Sequence, residues 1–357
     1  MLGIVQGLTE FAPVSSSGHL ILVPWLFHWS ILTNEELNKT FDVALHLGTF
    51  VGALAYFWRD VMAYLAALFR SIRRRRIDEI EERLAWFLLI GTIPGAITGA
   101  LFESVIEDKL GQPYIIAVML AVFGVVLYLV DRTARQTRTF RHMRMSDALL
   151  IGVAQAIALQ PGVSRSGITI TAARGLGFER ERAARFSFLL SLPIIGGAGL
   201  YKGAKILAGK EHIPHSFYRP FAAGIVASAI SGFLVIWALL AYLRRRGFAP
   251  FMVYRLAVAA FVLGLIGAGI RPAHVPTKKA PAGSAMGQVE RSVEPTDSET
   301  SETSSIGASG SRTVKVEPAP KVLSTSTRPP WFSAAHLTMD RPRPVPPVCL
   351  DLPRSTL

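Results

Sequence analysis

The chain of 357 residues is poor in charge and almost without cysteine. Cys349 is the single cysteine, which excludes an intrachain disulfide and any cysteine-rich metal cluster. Charged residues make up 18% of the chain, against about a quarter in soluble domains. Those present are gathered in a few connections and in the C-terminal part, so long stretches carry almost none. An ordinary cytosolic enzyme is thereby excluded, and a polytopic membrane protein is expected. Lys and Arg number 38 against 25 Asp and Glu, a formal net charge of +13. Arginine runs placed between apolar stretches read as membrane anchors, not as a nucleic-acid surface, so nucleic acid is excluded as a partner. Met1 leads straight into an apolar segment with no small-residue cleavage site, so no removable signal is expected.

What is abundant is apolar sequence, half of all residues. Six runs reach the roughly 17 to 25 residues that a crossing needs, at about 41–58, 84–103, 114–131, 183–203, 219–243 and 252–270. Two more, 2–27 and 148–174, are interrupted by Pro13-Val14-Ser15-Ser16-Ser17-Gly18-His19 and by Pro161-Gly162-Val163-Ser164-Arg165-Ser166-Gly167. Irregular polar backbone at membrane depth survives only where protein or a wet cavity surrounds it, so both read as re-entrant helix-loop-helix hairpins. They are copies at an offset of 149 residues, with Gly3/Gly152, Gln6/Gln155, Val14/Val163, Ser15/Ser164, Ser17/Ser166, Gly18/Gly167 and Ile21/Ile170 identical. Weaker echoes pair Tyr114, Ala117, Val118 and Gly124 with Tyr254, Ala257, Val258 and Gly264.

The expected fold is therefore an all-α polytopic membrane protein with six transmembrane helices plus two re-entrant hairpins, arranged as an inverted repeat. Residues 1–131 form the first repeat, 132–271 the second, and 272–357 a disordered tail rich in Ser, Thr and Pro. An odd number of crossings per copy turns the second copy upside down, with the site at the midplane. With the N-terminus outside, nineteen arginines fall in inside connections and six basic residues in outside ones, as the positive-inside rule requires.

The polar tips carry the chemistry. Gln6 and Glu10 share one helical face at i, i+4, and Ser15, Ser16, Ser17 and His19 follow within a few residues. Ser16 and His19, at i, i+3, place an imidazole within reach of a hydroxyl. A serine at a helix start is commonly a cap and a lone histidine commonly a core group. A carboxylate, three hydroxyls and an imidazole inside one apolar stretch are better explained by function, because ionisable groups at membrane depth are costly. In the second tip, Arg165 stands between Ser164 and Ser166, with Thr169 one turn on, where a helix N-terminus and a guanidinium suit a phosphate. Simple pairing of Arg165 with Glu10 is the bland alternative, and it leaves the hydroxyls unexplained. Asp42 and His46 share a face of the first crossing and are weaker candidates. Together the groups suggest phosphoryl-transfer hydrolysis.

At these motifs the chain resembles the undecaprenyl-diphosphate phosphatase, or bacitracin-resistance, family. The resemblance rests on GIVQGLTEFAPVSSSGHL at 3–20, FDVALHLGT at 41–49, QPGVSRSGITI at 160–170 and RFSFLLSLP at 185–193, and spans residues 1 to about 270. It implies an integral membrane enzyme that removes the terminal phosphate of undecaprenyl diphosphate, recycles the carrier for peptidoglycan synthesis and confers bacitracin resistance. Carried over, it implies Ser16 as nucleophile, Glu10 and His19 as acid/base partners, and Gln6, Ser15, Ser17, Ser164, Arg165, Ser166 and Thr169 as substrate contacts. It also implies a divalent cation, Mg²⁺ or Ca²⁺, at Glu10. Two departures stand out: family members carry several residues before the Gly3 position, so either a short first helix or a misassigned start codon is expected, and Gln6 is neutral. The expected partners are the membrane and a polyprenyl diphosphate, with a homodimer as an option, in the bacterial inner membrane with the site open to the periplasmic side. The alternative is a polyprenyl-phosphate flippase or transporter working by alternating access, which would not need Ser, His and Glu in one motif.

Overall fold

A computed structural model describes residues 1–29, 35–208 and 214–274; the proposed tail lies, from residue 275 onward, outside the described residues. Ten α-helices carry the fold among the described residues: α1 (Leu2–Phe11), α2 (Ser16–Phe27), α3 (Glu35–Arg74), α4 (Ile80–Leu110), α5 (Pro113–Thr133), α6 (Met145–Ile157), α7 (Arg165–Gly175), α8 (Arg180–Leu207), α9 (Tyr218–Leu243) and α10 (Ala249–Gly267). Among the described residues no strand forms, and one isolated bridge joins Arg138 to Phe178. Six helices among the described residues, α3, α4, α5, α8, α9 and α10, are long and apolar enough to cross a membrane. The two interrupted stretches become the short pairs α1/α2 and α6/α7.

The largest difference from the expected boundaries is in α3. The first crossing continues beyond Trp58 to Arg74, so that α3 has 40 residues, about 60 Å at 1.5 Å per residue. Residues 59–74 hold no Gly or Pro and several strong helix formers, so nothing stops the helix there. Arg59 and Arg70 thus lie on a helix and not in a connection.

Small residues decide how the helices approach. A Cβ on Gly7 would stand 1.9 Å from Ser231 Oγ, and one on Gly3 2.5 Å from the Gly224 carbonyl, so α1 lies directly against α9. Gly48 and Gly52 bring α3 onto α9 in the same way, with Cβ positions 1.9 Å from Ser228 Oγ and 2.3 Å from the Ala229 carbonyl. Gly152 of α6 meets the Gly91 carbonyl of α4 at 2.3 Å from its would-be Cβ. Without a hydrophobic drive between lipid-facing helices, such close backbone contact is what holds a bundle together. From the short pairs, α1 packs on α9 and α6 on α4.

The core between these helices is aromatic and aliphatic, with Phe11, Phe57, Phe188, Leu127, Leu190 and Phe248 all buried. Several arginines read as anchors are in fact paired. Arg174, fully buried, donates from Nε to Asp131 Oδ1 at 2.8 Å, and Arg180 Nε reaches the same oxygen at 2.8 Å. Arg185 holds both oxygens of Asp60 at 2.7 Å, and Arg138 pairs with Asp147.

Candidate active site

The two tips have the same local structure because they have the same sequence. Ser15 (φ 74°) and Ser164 (φ 76°) each turn the chain through the left-handed region and cap the helix that follows. Ser15 Oγ accepts from Gly18 N at 3.3 Å, and Ser164 Oγ from Gly167 N at 3.0 Å. The hydrogen bond is that of an N-cap, made here from a positive φ, and it leaves the next residue, Ser16 or Arg165, as the first of its helix.

Those two equivalent residues converge on one carboxylate. Glu10 is buried on the inner face of α1. Its Oε2 accepts from Ser16 Oγ at 2.6 Å and from Gln6 Nε2 at 2.9 Å, while Arg165 Nη2 donates to Oε1. His46 of α3 completes the ring, with Nε2 3.5 Å from Glu10 Oε2 and Nδ1 2.8 Å from the Asp42 carbonyl. The duplication thus supplies a hydroxyl from one tip and a cation from the other, with Glu10 itself matched by Leu159 in the second copy.

The remaining sequence candidates brace the tips. Ser15 Oγ accepts from Gly162 N at 3.1 Å and Ser166 Oγ donates to the Ala12 carbonyl at 3.0 Å, so each loop is tied to the other. Ser17 Oγ lies 3.5 Å from Ser15 Oγ, and Ser164 Oγ 3.2 Å from Ser166 Oγ. Thr169 is turned away from Glu10; its hydroxyl donates to the Arg165 carbonyl at 2.7 Å and lies 2.6 Å from Ser187 Oγ. Both ring nitrogens of His19 bond elsewhere than to Ser16's hydroxyl: Nδ1 lies 2.7 Å from the Ser15 carbonyl oxygen and Nε2 2.8 Å from Tyr254 Oη.

Two residues escaped the sequence reading. Arg255, fully buried, donates to five carbonyls: Leu120 at 2.9 Å, Met119 at 3.3 Å, Pro13 at 3.2 Å, Gly162 at 2.9 Å and Val163 at 3.1 Å. It therefore bolts both tips to α5. Its signal was an arginine inside an apolar run. Tyr254 had no signal beyond its echo in Tyr114.

Among the described residues no three His, Cys, Asp or Glu side chains are placed to hold a metal ion. Besides the serine hydroxyls, the oxygens at the tip include the Glu10 carboxylate and Gln6 Oε1, which is buried without a hydrogen-bond partner. So sparse a set of hard donors fits a divalent cation that takes its other ligands from phosphate and water.

The sequence matches the family model described as bacitracin resistance protein BacA over residues 1–261. The undecaprenyl-diphosphatase of Desulforudis audaxviator is 46% identical over 263 residues, covering 74% of this chain and 95% of that protein. Those of Pelotomaculum thermopropionicum and Geobacter sulfurreducens are each 46% identical, over 268 and 267 residues, covering 75% and 74% of this chain and 96% of each relative.

Proposed function

This chain belongs to the bacitracin resistance protein BacA family, and from that premise we propose that it hydrolyses undecaprenyl diphosphate to undecaprenyl phosphate and inorganic phosphate. The observation that carries the chemistry is the meeting of Ser16 and Arg165, from opposite tips, on the two oxygens of Glu10. Ser16 Oγ attacks the terminal phosphorus while its proton passes to Glu10, 2.6 Å away. The bond from that phosphorus to the bridging oxygen breaks, and undecaprenyl phosphate leaves. Water then attacks the phosphoserine; the bond from phosphorus to Ser16 Oγ breaks as Oγ takes its proton back from Glu10, and inorganic phosphate leaves with the protons of the water. Arg165, only partly buried, exchanges Glu10 for the phosphoryl oxygens and neutralises charge that grows in the transition state. Glu10 and Gln6 would hold Mg²⁺ or Ca²⁺, which when bound supplies further neutralisation of the diphosphate.

The architecture we infer is an inverted repeat, 1–131 and 132–271, with α1/α2 and α6/α7 as re-entrant hairpins in the bacterial plasma membrane and the site open to the outer face. The reciprocal packing of α1 on α9 and α6 on α4 supports it, as do the matched left-handed serines. The same reciprocal packing favours a second reading, transport of the lipid phosphate by alternating access.

The test is phosphate release from a polyprenyl diphosphate in detergent with Mg²⁺, using wild type, Ser16→Ala and Arg165→Ala. Release by wild type that is lost in both variants is expected. Binding of the lipid without release by folded wild type would leave transport as the better reading.

A further inference from the structure

Because the two halves are copies, a contact built for packing should occur twice, whereas one built for chemistry need occur once. Glu10 is matched by Leu159 and His19 by Ile168, so the carboxylate and imidazole belong to one half alone. Tyr254 of α10 is matched by Tyr114 of α5. Yet Tyr114 meets His274 edge-on at 5.2 Å, outside either tip, while Tyr254 lies on His19 with ring centroids 5.7 Å apart and planes 12° from parallel. The tyrosine is duplicated; its contact with a tip imidazole is not.

We propose that Tyr254 is a positioning residue for the phosphatase reaction, acting through His19 to hold the Ser15 turn from which Ser16 is aimed. The proposal rests on the phosphatase reading above. The Ser15 carbonyl can only accept, so Nδ1 of His19 carries the proton in their 2.7 Å hydrogen bond. Nε2 is then the acceptor for the Tyr254 hydroxyl at 2.8 Å. The ring is buried, no carboxylate contacts it among the described residues, and the charged group that acts on it is Arg255, the next residue on α10. A neutral imidazole with one fixed tautomer is what such surroundings hold. Both nitrogens are thus engaged, and Ser16 Oγ gives its hydrogen bond to Glu10 instead. What His19 grips is the backbone of a residue held at φ 74°, a conformation that persists only when its surroundings over-determine it. Ser16 follows directly, so a loosened Ser15 carbonyl swings the nucleophile away from Glu10.

Tyr254→Phe keeps the stacked ring and removes only the hydroxyl. The experiment is phosphate release from a polyprenyl diphosphate by the full chain in detergent, from about pH 5 to about pH 9, a range that brackets histidine titration. Wild type, Y254F, H19Q and the double variant are compared, with thermal unfolding of each as the check on folding. Y254F is expected to unfold at the wild-type temperature and to lose about tenfold in kcat, the effect of roughly one hydrogen bond, with KM nearly unchanged. Its activity should gain an acid limb below the ordinary histidine range of about 6.5, because Nε2 is uncapped and open to a proton while the burial and the Arg255 charge that oppose protonation remain. In the H19Q background, Y254F should cost nothing further, since residues acting as one unit are not additive. Wild-type kcat and pH profile in Y254F would overturn the proposal while leaving the phosphatase reading intact, and so would losses that multiply in the double variant. A folded wild type that releases no phosphate would sink both.

Discussion

Replacing Arg255 by methionine tests whether the two tips are held by one side chain. The substitution keeps most of the apolar stem and removes a guanidinium that donates to five carbonyls. Those of Met119 and Leu120 belong to the middle of α5 and retain their helical partners. Those of Pro13, Gly162 and Val163 lie in the tip loops, where no helix can satisfy them. Three orphaned, buried acceptors at about 1 kcal/mol each cost about 3 kcal/mol, a large share of the roughly 5–15 kcal/mol by which domains are stable. At about 2 °C per kcal/mol for a large domain, the midpoint of thermal unfolding should fall by about 6 °C. Activity should fall further than stability, because Pro13 and Gly162 flank the turns that aim Ser16 and Arg165. The assay pairs fluorescence-detected unfolding in detergent with phosphate release below the lowered midpoint. Arg255→Lys, a point charge without the planar fork, should recover only part of either loss. Unchanged unfolding together with full turnover in R255M would refute the clamp.

Other variants test neighbouring parts of the argument. Gly7→Ala places a Cβ 1.9 Å from Ser231 Oγ; α1 must back away from α9, carrying Glu10 with it, and about 1–3 kcal/mol of stability and most phosphate release should go. Gly264→Ala, where a Cβ meets nothing within 4 Å, is the matched control and should behave as wild type in both measurements. Asp131→Ala strips the buried Arg174 of its carboxylate; a loss of about 3–5 kcal/mol is expected, read as a lower unfolding temperature, and an unchanged midpoint would show that the carbonyls around Arg174 suffice. Arg185→Met removes the bifurcated contact of Nη2 with both Asp60 oxygens, in which both side chains are about a quarter exposed; the expected loss is below about 1 kcal/mol, and a larger shift would mean that the pair is less wet than its exposure suggests.

Much of this molecule follows from local sequence. The six long helices are set by apolar run length, since a bilayer demands about 20 residues and internal hydrogen bonding. The breaks at Pro13–His19 and Pro161–Gly167, and the capping by Ser15 and Ser164, are equally local, because backbone turns obey nearby residues. The candidacy of Glu10, Ser16 and Arg165 followed from the cost of polar groups in an apolar stretch. Only the tertiary structure brought Ser16 and Arg165, distant in sequence, to opposite oxygens of one carboxylate, and added His46 to the ring. It also withdrew His19 from Ser16 and gave it to Tyr254, and turned Thr169 toward Ser187. Arg255 shows why such facts lie beyond pattern reading: its five acceptors come from three separate segments of chain, and no periodicity within α10 encodes them. Helix ends and turns answer to their neighbours along the chain, whereas a site assembled between two copies answers to how glycine-lined helices pack.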